Sequence, residues 1–285
     1  MGIEEGELCS YGSSRIVIQQ LPYEYTSSYL PGSAAGPAAI VEASHFVEVY
    51  DEELDAEIYR ETGIATLEPL DFTGKTDADA IALIERETAA LLEDGKFVVS
   101  LGAEHTVTYG LVKAFAKKFG QLTVLQLDAH SDLREAYQGN PYSHASVMKR
   151  IYDLGLNICQ AGIRAQCREE AELIRASDRI HTLYAWQLQT GRDWISSLLR
   201  NCTENVYITI DADGFDPSLM PAVGTAEPGG IGWYQGLELL RTVCKTRNVV
   251  GFDIVECAPV QGSILTQFSL AKLAYKLLGY IHHKN

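Results

Sequence analysis

The sequence predicts an α/β protein in which helices cover both faces of a parallel β-sheet. Short apolar runs rich in β-branched residues alternate along its 285 residues with longer segments of helical period. The short runs are apolar on both faces, as expected for strands that are buried on both sides of a parallel sheet. No stretch rich in proline, glycine and serine interrupts the middle of the chain. We therefore expect residues 1–285 to form a single domain with one large core.

Five short apolar runs predict strands, and six longer segments predict helices. The predicted strands are residues 97–101, 122–127, 158–163, 206–210 and 249–254. The predicted helices are residues 77–93, 108–119, 168–176, 193–201, 234–246 and 266–282. In open parallel sheets, ligands bind beyond the carboxyl ends of the strands. The polar residues directly after each strand are therefore the candidates for chemistry.

The segment from Leu21 to Pro37 differs from the rest of the chain because it is rich in turn-forming and aromatic residues. This composition predicts an ordered loop near the edge of the sheet or the mouth of the site. A packed surface loop without a functional role explains the composition equally well.

The formal net charge of −15 restricts the classes of partner. An acidic chain disfavours nucleic acid, because phosphate binding depends on clustered Lys and Arg. It favours the approach of a small cationic substrate, although solubility alone also explains an acidic surface.

The cysteines and the lengths of the apolar runs indicate the cellular compartment in which we expect the protein. The six cysteines form no CxxC pair, so neither a zinc knuckle nor a thioredoxin-like site is indicated. Residues 1–14 lack the basic start and apolar run of a signal peptide. No segment approaches the roughly 18 continuous apolar residues of a membrane helix. We expect a cytoplasmic protein without a membrane partner.

Carboxylates and imidazoles follow four of the predicted strands, and the topology of a parallel sheet brings such strand ends to one edge. These residues are Glu104, His105, Asp128, His130, Asp132, Asp211, Asp213 and Glu256. Taken singly, an aspartate after a strand is more often a cap or turn residue, and a single histidine is more often a packed side chain. The combination of all of them in one chain favours a metal site.

The spacing within residues 128–132 supports this interpretation. Residues 128, 130 and 132 point to the same side of an extended chain, and Asp211 and Asp213 repeat the arrangement. Clustered ionised carboxylates repel one another in a partly buried site unless a dication lies between them. Four aspartates and two histidines exceed one tetrahedral zinc shell and suit two Mn²⁺ ions. Two such ions roughly 3.5–4 Å apart can share a water molecule and lower its pKa.

These motifs resemble those of the ureohydrolase family, which includes arginases, agmatinases, guanidinobutyrases and formiminoglutamases. The family's Gly-Gly-Asp-His-Ser appears as residues 102–106, and its Asp-Ala-His-x-Asp is intact at 128–132. Its Asp-x-Asp-x-x-Asp-Pro is intact at 211–217, followed by a glycine-rich run at 224–230 and by Glu-x-x-Pro at 256–259. The resemblance covers most of the chain and is strongest to the agmatinases.

The resemblance implies a three-layer αβα sandwich with a mostly parallel sheet of about eight strands. It implies two Mn²⁺ ions and a homo-oligomer, either a trimer or a hexamer. The implied ligands of the first ion are His105, Asp128, Asp132 and Asp211. The implied ligands of the second ion are Asp128, His130, Asp211 and Asp213.

Two further positions match family residues that act on the substrate. His144 stands at the position of the family's proton-transferring histidine, a role that suits a group titrating near neutral pH. Glu256 stands where the family pairs a carboxylate with the guanidinium of the substrate. The structural alternatives are a loop histidine for His144 and an ion pair with Arg164 for Glu256.

Two residues depart from the family pattern, and the second of them affects the expected substrate. Glu104 replaces the usual Asp before the first histidine ligand. Arg134 replaces the Asn with which arginases hold the α-amino acid end of arginine, and a cation there disfavours an α-ammonium group. The resemblance therefore implies the hydrolysis of agmatine to putrescine and urea.

Other functions remain open at this point. The substrate alternatives are guanidinobutyrate, whose acidic tail Arg134 could attract, guanidinopropionate, guanidine and arginine. A catalytically silent binding protein on the same scaffold is disfavoured, because all six implied ligands are present together with His144 and Glu256.

Overall fold

A computed structural model describes residues 6–190 and 193–283, and the eight strands of this part of the chain form one sheet. The strands are β1 (Ile16–Leu21), β2 (Ile64–Thr66), β3 (Phe97–Gly102), β4 (Thr123–Leu127), β5 (Asn157–Ile163), β6 (Ile180–Tyr184), β7 (Asn205–Asp211) and β8 (Asn248–Val255). Their order is β2-β1-β3-β8-β7-β4-β5-β6. Every neighbouring pair is parallel.

Ten α-helices connect and cover the strands in the described residues. They are α1 (Gly36–Ser44), α2 (Ile58–Thr62), α3 (Asp77–Glu93), α4 (Val107–Phe119), α5 (Val147–Asp153), α6 (Arg168–Ala176), α7 (Ala185–Thr190), α8 (Trp194–Leu199), α9 (Trp233–Thr246) and α10 (Leu265–His282). None of the helices in residues 6–190 and 193–283 combines the length and the apolar character that a membrane span requires.

The core consists of two apolar layers, one on each face of the sheet. Helices α1, α9 and α10 pack on one face, and α3, α4 and α5 pack on the other. Successive strand residues point to opposite faces, so Ile16 and Ile18 contact the first layer whereas Val17 contacts the second. Because both faces are covered, the strands are apolar throughout. The predicted three-layer αβα sandwich is confirmed.

The five predicted strands are confirmed as β3, β4, β5, β7 and β8, and the six predicted helices are present with small differences in their ends. The prediction missed β1, β2 and β6, together with α1, α2, α5 and α7. β2 has only three residues, and β6 lies at an edge of the sheet with mostly half-buried side chains. Such short or polar strands carry little of the hydrophobic pattern on which the prediction depends.

The four strands that precede the candidate residues are neighbours in the middle of the sheet, in the order β3-β8-β7-β4. Their parallel direction brings their carboxyl ends together. The turn after β7 approaches the start of the segment after β4 so closely that a Cβ atom on Gly214 would lie 2.7 Å from the backbone nitrogen of Asp128. Glycine at this position therefore allows the two acidic segments to meet.

Candidate metal centre

The first cluster surrounds the imidazole of His105, which follows β3. Its Nδ1 atom lies 2.9 Å from Oδ2 of Asp132, 3.1 Å from Oδ2 of Asp128 and 3.5 Å from Oδ2 of Asp211. All four side chains are buried. Residues from three different strand ends thus direct one nitrogen and three carboxylate oxygens to the same point.

The second cluster surrounds His130, which is more accessible. Its Nδ1 atom lies 3.1 Å from Oδ2 of Asp213 and 3.7 Å from Oδ1 of Asp128, and its side chain is 29% exposed. Asp128 therefore contributes Oδ2 to the first cluster and Oδ1 to the second. Donor atoms lie close enough together to hold a metal ion in two groups, which are His105 with Asp128 and Asp132, and His130 with Asp128 and Asp213.

The hydrogen bonds of His105 fit a role as a metal ligand. Thr209 Oγ1 donates to Oδ1 of Asp253 at 2.7 Å, so its lone pairs accept from Nε2–H of His105 at 2.9 Å. The Nδ1 atom is buried without a hydrogen-bond partner, although carboxylate oxygens surround it. A neutral ring with its proton on Nε2 presents a lone pair at Nδ1, which is the form that binds a metal.

The pKa values in the two clusters also indicate that added positive charge would stabilise the ionised carboxylates. Burial, followed by the charge of Asp128, raises the pKa of Asp132 to about 7. Burial, followed by the charge of Asp213, raises the pKa of Asp211 well above its usual value. Burial opposes protonation of His130, yet its contacts with Asp128 and Asp213 raise its pKa to about 12. Without a cation the clusters retain protons, and two dications would replace these protons.

Asp253 is a buried carboxylate that sequence reasoning missed. Besides Thr209, it accepts hydrogen bonds from Tyr207 Oη at 2.7 Å and from Thr108 Oγ1 at 3.1 Å, both at Oδ2. These three hydroxyl groups satisfy the carboxylate inside the sheet, and one of them also contacts His105. An acidic residue within the otherwise apolar run of β8 was the available signal.

Arg164 holds the turn that carries Asp213. Its guanidinium group donates to the backbone carbonyls of Asp213 at 2.6 Å, Phe215 at 3.3 Å and Glu227 at 2.8 Å. Burial lowers the pKa of Arg164. The structure therefore does not show the alternative ion pair between Arg164 and Glu256.

Glu256 follows β8 in a left-handed conformation, with a φ of 63°. Asp132 shares this property with a φ of 54°, and non-glycine residues in this region cost of order 1–3 kcal/mol. Oε1 of Glu256 accepts a hydrogen bond from the backbone N–H of His105 at 2.7 Å. Burial, followed by the charge of Glu104, raises the pKa of Glu256 to about 8. An arriving cation would stabilise the ionised form of this carboxylate.

Both clusters open into one cleft with a volume of about 240 Å³. Glu256, His144 and Arg134 line this cleft, together with Ser27, Ser28, Tyr29 and Leu30 from the loop after β1. The segment from Leu21 to Pro37 therefore reaches the mouth of the site, as one of the two interpretations predicted. Arg134 lies over the ring of Tyr137, with Cζ 5.6 Å from the ring centroid.

His144 contacts the same loop. Its Nδ1 lies 3.1 Å from Oγ1 of Thr26, and its backbone N–H donates to that oxygen at 3.1 Å. Burial, followed by the charges of His105 and His130, lowers the pKa of His144 to about 4. Burial also raises the pKa of Glu104, which accepts hydrogen bonds from Thr26. The structure thus brings the six implied metal ligands, together with His144 and Glu256, to one end of the sheet.

The fold is an αβα sandwich that carries two histidine–carboxylate clusters able to hold metal ions, and comparison with known proteins specifies its family. The model of the Arginase family matches residues 14–279, so the chain belongs to this family. Its enzymatic class is that of the ureohydrolases, which hydrolyse C–N bonds in linear amidines.

Three relatives illustrate the similarity. An N(1)-aminopropylagmatine ureohydrolase from Synechocystis sp. is 44% identical, with 98% of this chain and 92% of the relative covered. An agmatinase from Bacillus anthracis is 37% identical, with 88% of this chain and 86% of the relative covered. The solved structure of agmatine ureohydrolase from Thermoplasma volcanium superimposes with a TM-score of 0.84 at 30% identity, covering 99% of this chain and 93% of that one.

Proposed function

We propose that this chain hydrolyses the guanidino group of agmatine-type substrates, and that N1-aminopropylagmatine is its preferred substrate, with agmatine second. The observation that carries the reaction is geometric: two histidine–carboxylate clusters that share Asp128 open into a cleft that also holds Glu256 and His144. The overall reaction adds water to the guanidinium carbon and breaks its bond to the alkyl nitrogen. The products are urea and an alkylammonium ion.

The proposed metal ligands are those implied by the sequence. One Mn²⁺ ion would bind to His105, Asp128, Asp132 and Asp211, and the other to Asp128, His130, Asp211 and Asp213. When bound, such a pair of ions lowers the pKa of a water molecule towards neutrality. The two oxygens of Asp128, each directed to a different cluster, support its assignment as a shared ligand.

Glu256 is the proposed partner of the substrate guanidinium. Its carboxylate lies at the cleft and is fixed by the backbone of His105, which belongs to the first cluster. A charge-assisted pair between a planar carboxylate and a planar guanidinium fixes the orientation of the guanidinium carbon.

His144 is the proposed proton carrier. It takes a proton that the attacking water releases, and it donates this proton to the alkyl nitrogen as the C–N bond breaks. Its position in the wall of the same cleft supports this role.

The choice of substrate depends on Arg134 and on the relatives. Arg134 lines the cleft at the position where arginases have the Asn that holds the α-amino acid end of arginine, and the loss of this contact favours substrates without an amino acid end. The relative that acts on N1-aminopropylagmatine by name is 44% identical to this chain, whereas the Bacillus anthracis agmatinase is 37% identical. This difference favours the aminopropyl derivative over the agmatine that the sequence motifs alone implied.

Urea release from a panel of guanidino compounds in the presence of Mn²⁺ tests the proposal. We expect kcat/KM for N1-aminopropylagmatine to exceed that for agmatine by about tenfold, equivalent to one additional charged hydrogen bond of ~1.5 kcal/mol. Arginine and guanidinobutyrate should be poorer substrates than both. Asp128→Ala, purified in the same way, is the control for contaminating activity. Higher kcat/KM for agmatine would reverse the order of the two candidates, and a preference for arginine or guanidinobutyrate would refute both.

A further inference from the structure

A chain of hydrogen bonds connects His144 to a buried carboxylate outside the metal-binding clusters. Thr26, in the loop after β1, lies between them. Its Oγ1 atom is 3.1 Å from Oε1 of Glu104 and 3.1 Å from Nδ1 of His144. None of the roles proposed above uses Thr26 or Glu104.

The donors and acceptors of this chain specify the tautomer of His144. The backbone N–H of His144 donates to Oγ1 of Thr26, so one lone pair of the hydroxyl oxygen is occupied. The single hydroxyl proton goes to Oε1 of Glu104, whose other oxygen accepts from two backbone N–H groups, whereas the ring nitrogen of His144 can either donate or accept. Nδ1 of His144 must then donate to the second lone pair of Oγ1. The ring proton is on Nδ1, and Nε2 is the nitrogen available to the cleft.

We propose that Thr26 and Glu104 are positioning residues that hold His144 as the Nδ1–H tautomer, so that Nε2 carries the proton to the leaving nitrogen. This inference rests on the proposed function of His144. In the balanced step, Nε2 accepts the proton that water loses and then gives it to the alkyl nitrogen, while Nδ1–H remains bonded to Thr26.

Glu104 is suited to this task because it also anchors the loop. Its Oε2 atom accepts from the backbone N–H of Tyr25 at 3.0 Å and from that of Thr26 at 2.7 Å. These two bonds fix the backbone that carries the Thr26 hydroxyl, and neither of them is made by the hydroxyl itself. The longer side chain at the position where the family motif has Asp thus connects the β3 end to the loop after β1.

A double-mutant cycle separates positioning of His144 from a general structural effect. Thr26→Val removes the hydroxyl with its bonds to Glu104 and to the ring and backbone N–H of His144, whereas both backbone bonds to Glu104 remain. We expect kcat to fall by about tenfold, a part of the ~10²–10⁴-fold that a general acid–base group contributes, with KM and metal content little changed. Thr26→Ser should restore kcat. Thr246→Val on the exposed side of α9 is the matched control and should retain full activity.

The His144→Ala background gives the decisive comparison. If Thr26 acts through His144, Thr26→Val should not lower kcat further once the imidazole is absent. Losses that multiply in the double variant would overturn the proposal, as would an unchanged kcat in Thr26→Val when His144→Ala is impaired. If His144→Ala retains full kcat, the proposed function of His144 fails, and the tautomer is then decided by the following measurement alone.

The tautomer can be measured without turnover. Ring ¹⁵N shifts of His144 in the ¹⁵N-histidine-labelled full chain, with diamagnetic Mg²⁺ added, report which nitrogen carries the proton, and His144→Ala assigns the signals. We expect the Nδ1–H form in the wild type and a mixture of tautomers in Thr26→Val. A predominant Nε2–H form in the wild type would show that the hydroxyl proton points to His144, and would overturn the proposal.

Discussion

Replacing Thr209 by valine should weaken the binding of one of the two proposed metal ions and leave the other nearly unchanged. Valine has nearly the shape of threonine but offers no acceptor, so Nε2–H of His105 would lose the hydroxyl oxygen that lies 2.9 Å from it. The ring could then move its proton to Nδ1, the nitrogen that faces three carboxylates, and this tautomer cannot bind a metal there. Asp253 would keep its bonds from Tyr207 and Thr108.

Two independent estimates of the magnitude agree. A buried donor left without an acceptor costs about 1–3 kcal/mol, which corresponds to roughly 5–150-fold in a binding constant. The loss of the outer hydrogen bond of a metal-binding histidine typically costs ~10–100-fold in affinity. We therefore expect the ion at His105 to bind about 10–100-fold more weakly, and the ion at His130 to be affected much less.

Competition with a fluorescent chelator, together with metal analysis of the dialysed protein, gives both affinities. Thr209→Ser retains the hydroxyl and is the matched control, so it should bind both ions nearly as tightly as the wild type. Unchanged affinities in Thr209→Val would refute the orienting role of the hydroxyl. An equal loss of both ions would show instead that the change disturbs the whole centre.

Three further predictions test other parts of the structure. Asp128→Ala should lose both ions, whereas His105→Ala should lose mainly one, and metal analysis that finds two ions in Asp128→Ala would contradict the sharing of this carboxylate. Glu256→Gln should keep both ions but lower kcat/KM by at least ~10²-fold, since it removes the charge that pairs with the guanidinium; near-normal kcat/KM would exclude this pairing. Lys276→Met should lower the free energy of unfolding by about 3 kcal/mol in urea titrations, because it leaves the buried carboxylate of Asp51, 2.9 Å away, without its cation. A loss below ~1 kcal/mol, as for exposed pairs, would contradict this account.

The sequence sufficed to predict the centre of the sheet because burial on both faces leaves an unbroken apolar pattern. β3, β4, β7 and β8 carry that pattern and also carry the site at their carboxyl ends. β1 is equally buried but contains Gln19 and Gln20, and Oε1 of Gln19 accepts a hydrogen bond from Thr88 of α3. A polar residue whose partner lies 69 positions away gives no local signal of a buried strand.

The same limitation explains which site residues were missed. The metal-binding candidates stand in short motifs, so their spacing is visible along the chain. Asp253 acquires its role only when Thr108, Tyr207 and Thr209 surround it in the folded sheet. Thr26 lies 118 residues from His144 and 78 from Glu104, so no pattern in the sequence connects them.

The missed residues belong to two similar arrangements of a histidine, a threonine and a carboxylate. His105 and His144 each contact a threonine hydroxyl that lies within hydrogen-bonding distance of a carboxylate, Asp253 in the first case and Glu104 in the second. The two arrangements differ in the ring nitrogen that the threonine contacts. Thr209 binds Nε2 of His105 and leaves Nδ1 to the carboxylate cluster, whereas Thr26 contacts Nδ1 of His144 and leaves Nε2 to the cleft. A hydroxyl can either donate to a ring nitrogen or accept from it. It therefore specifies a tautomer only if another group fixes the direction of the hydroxyl proton. The buried carboxylate supplies that constraint, which explains why a threonine alone at either position would not suffice.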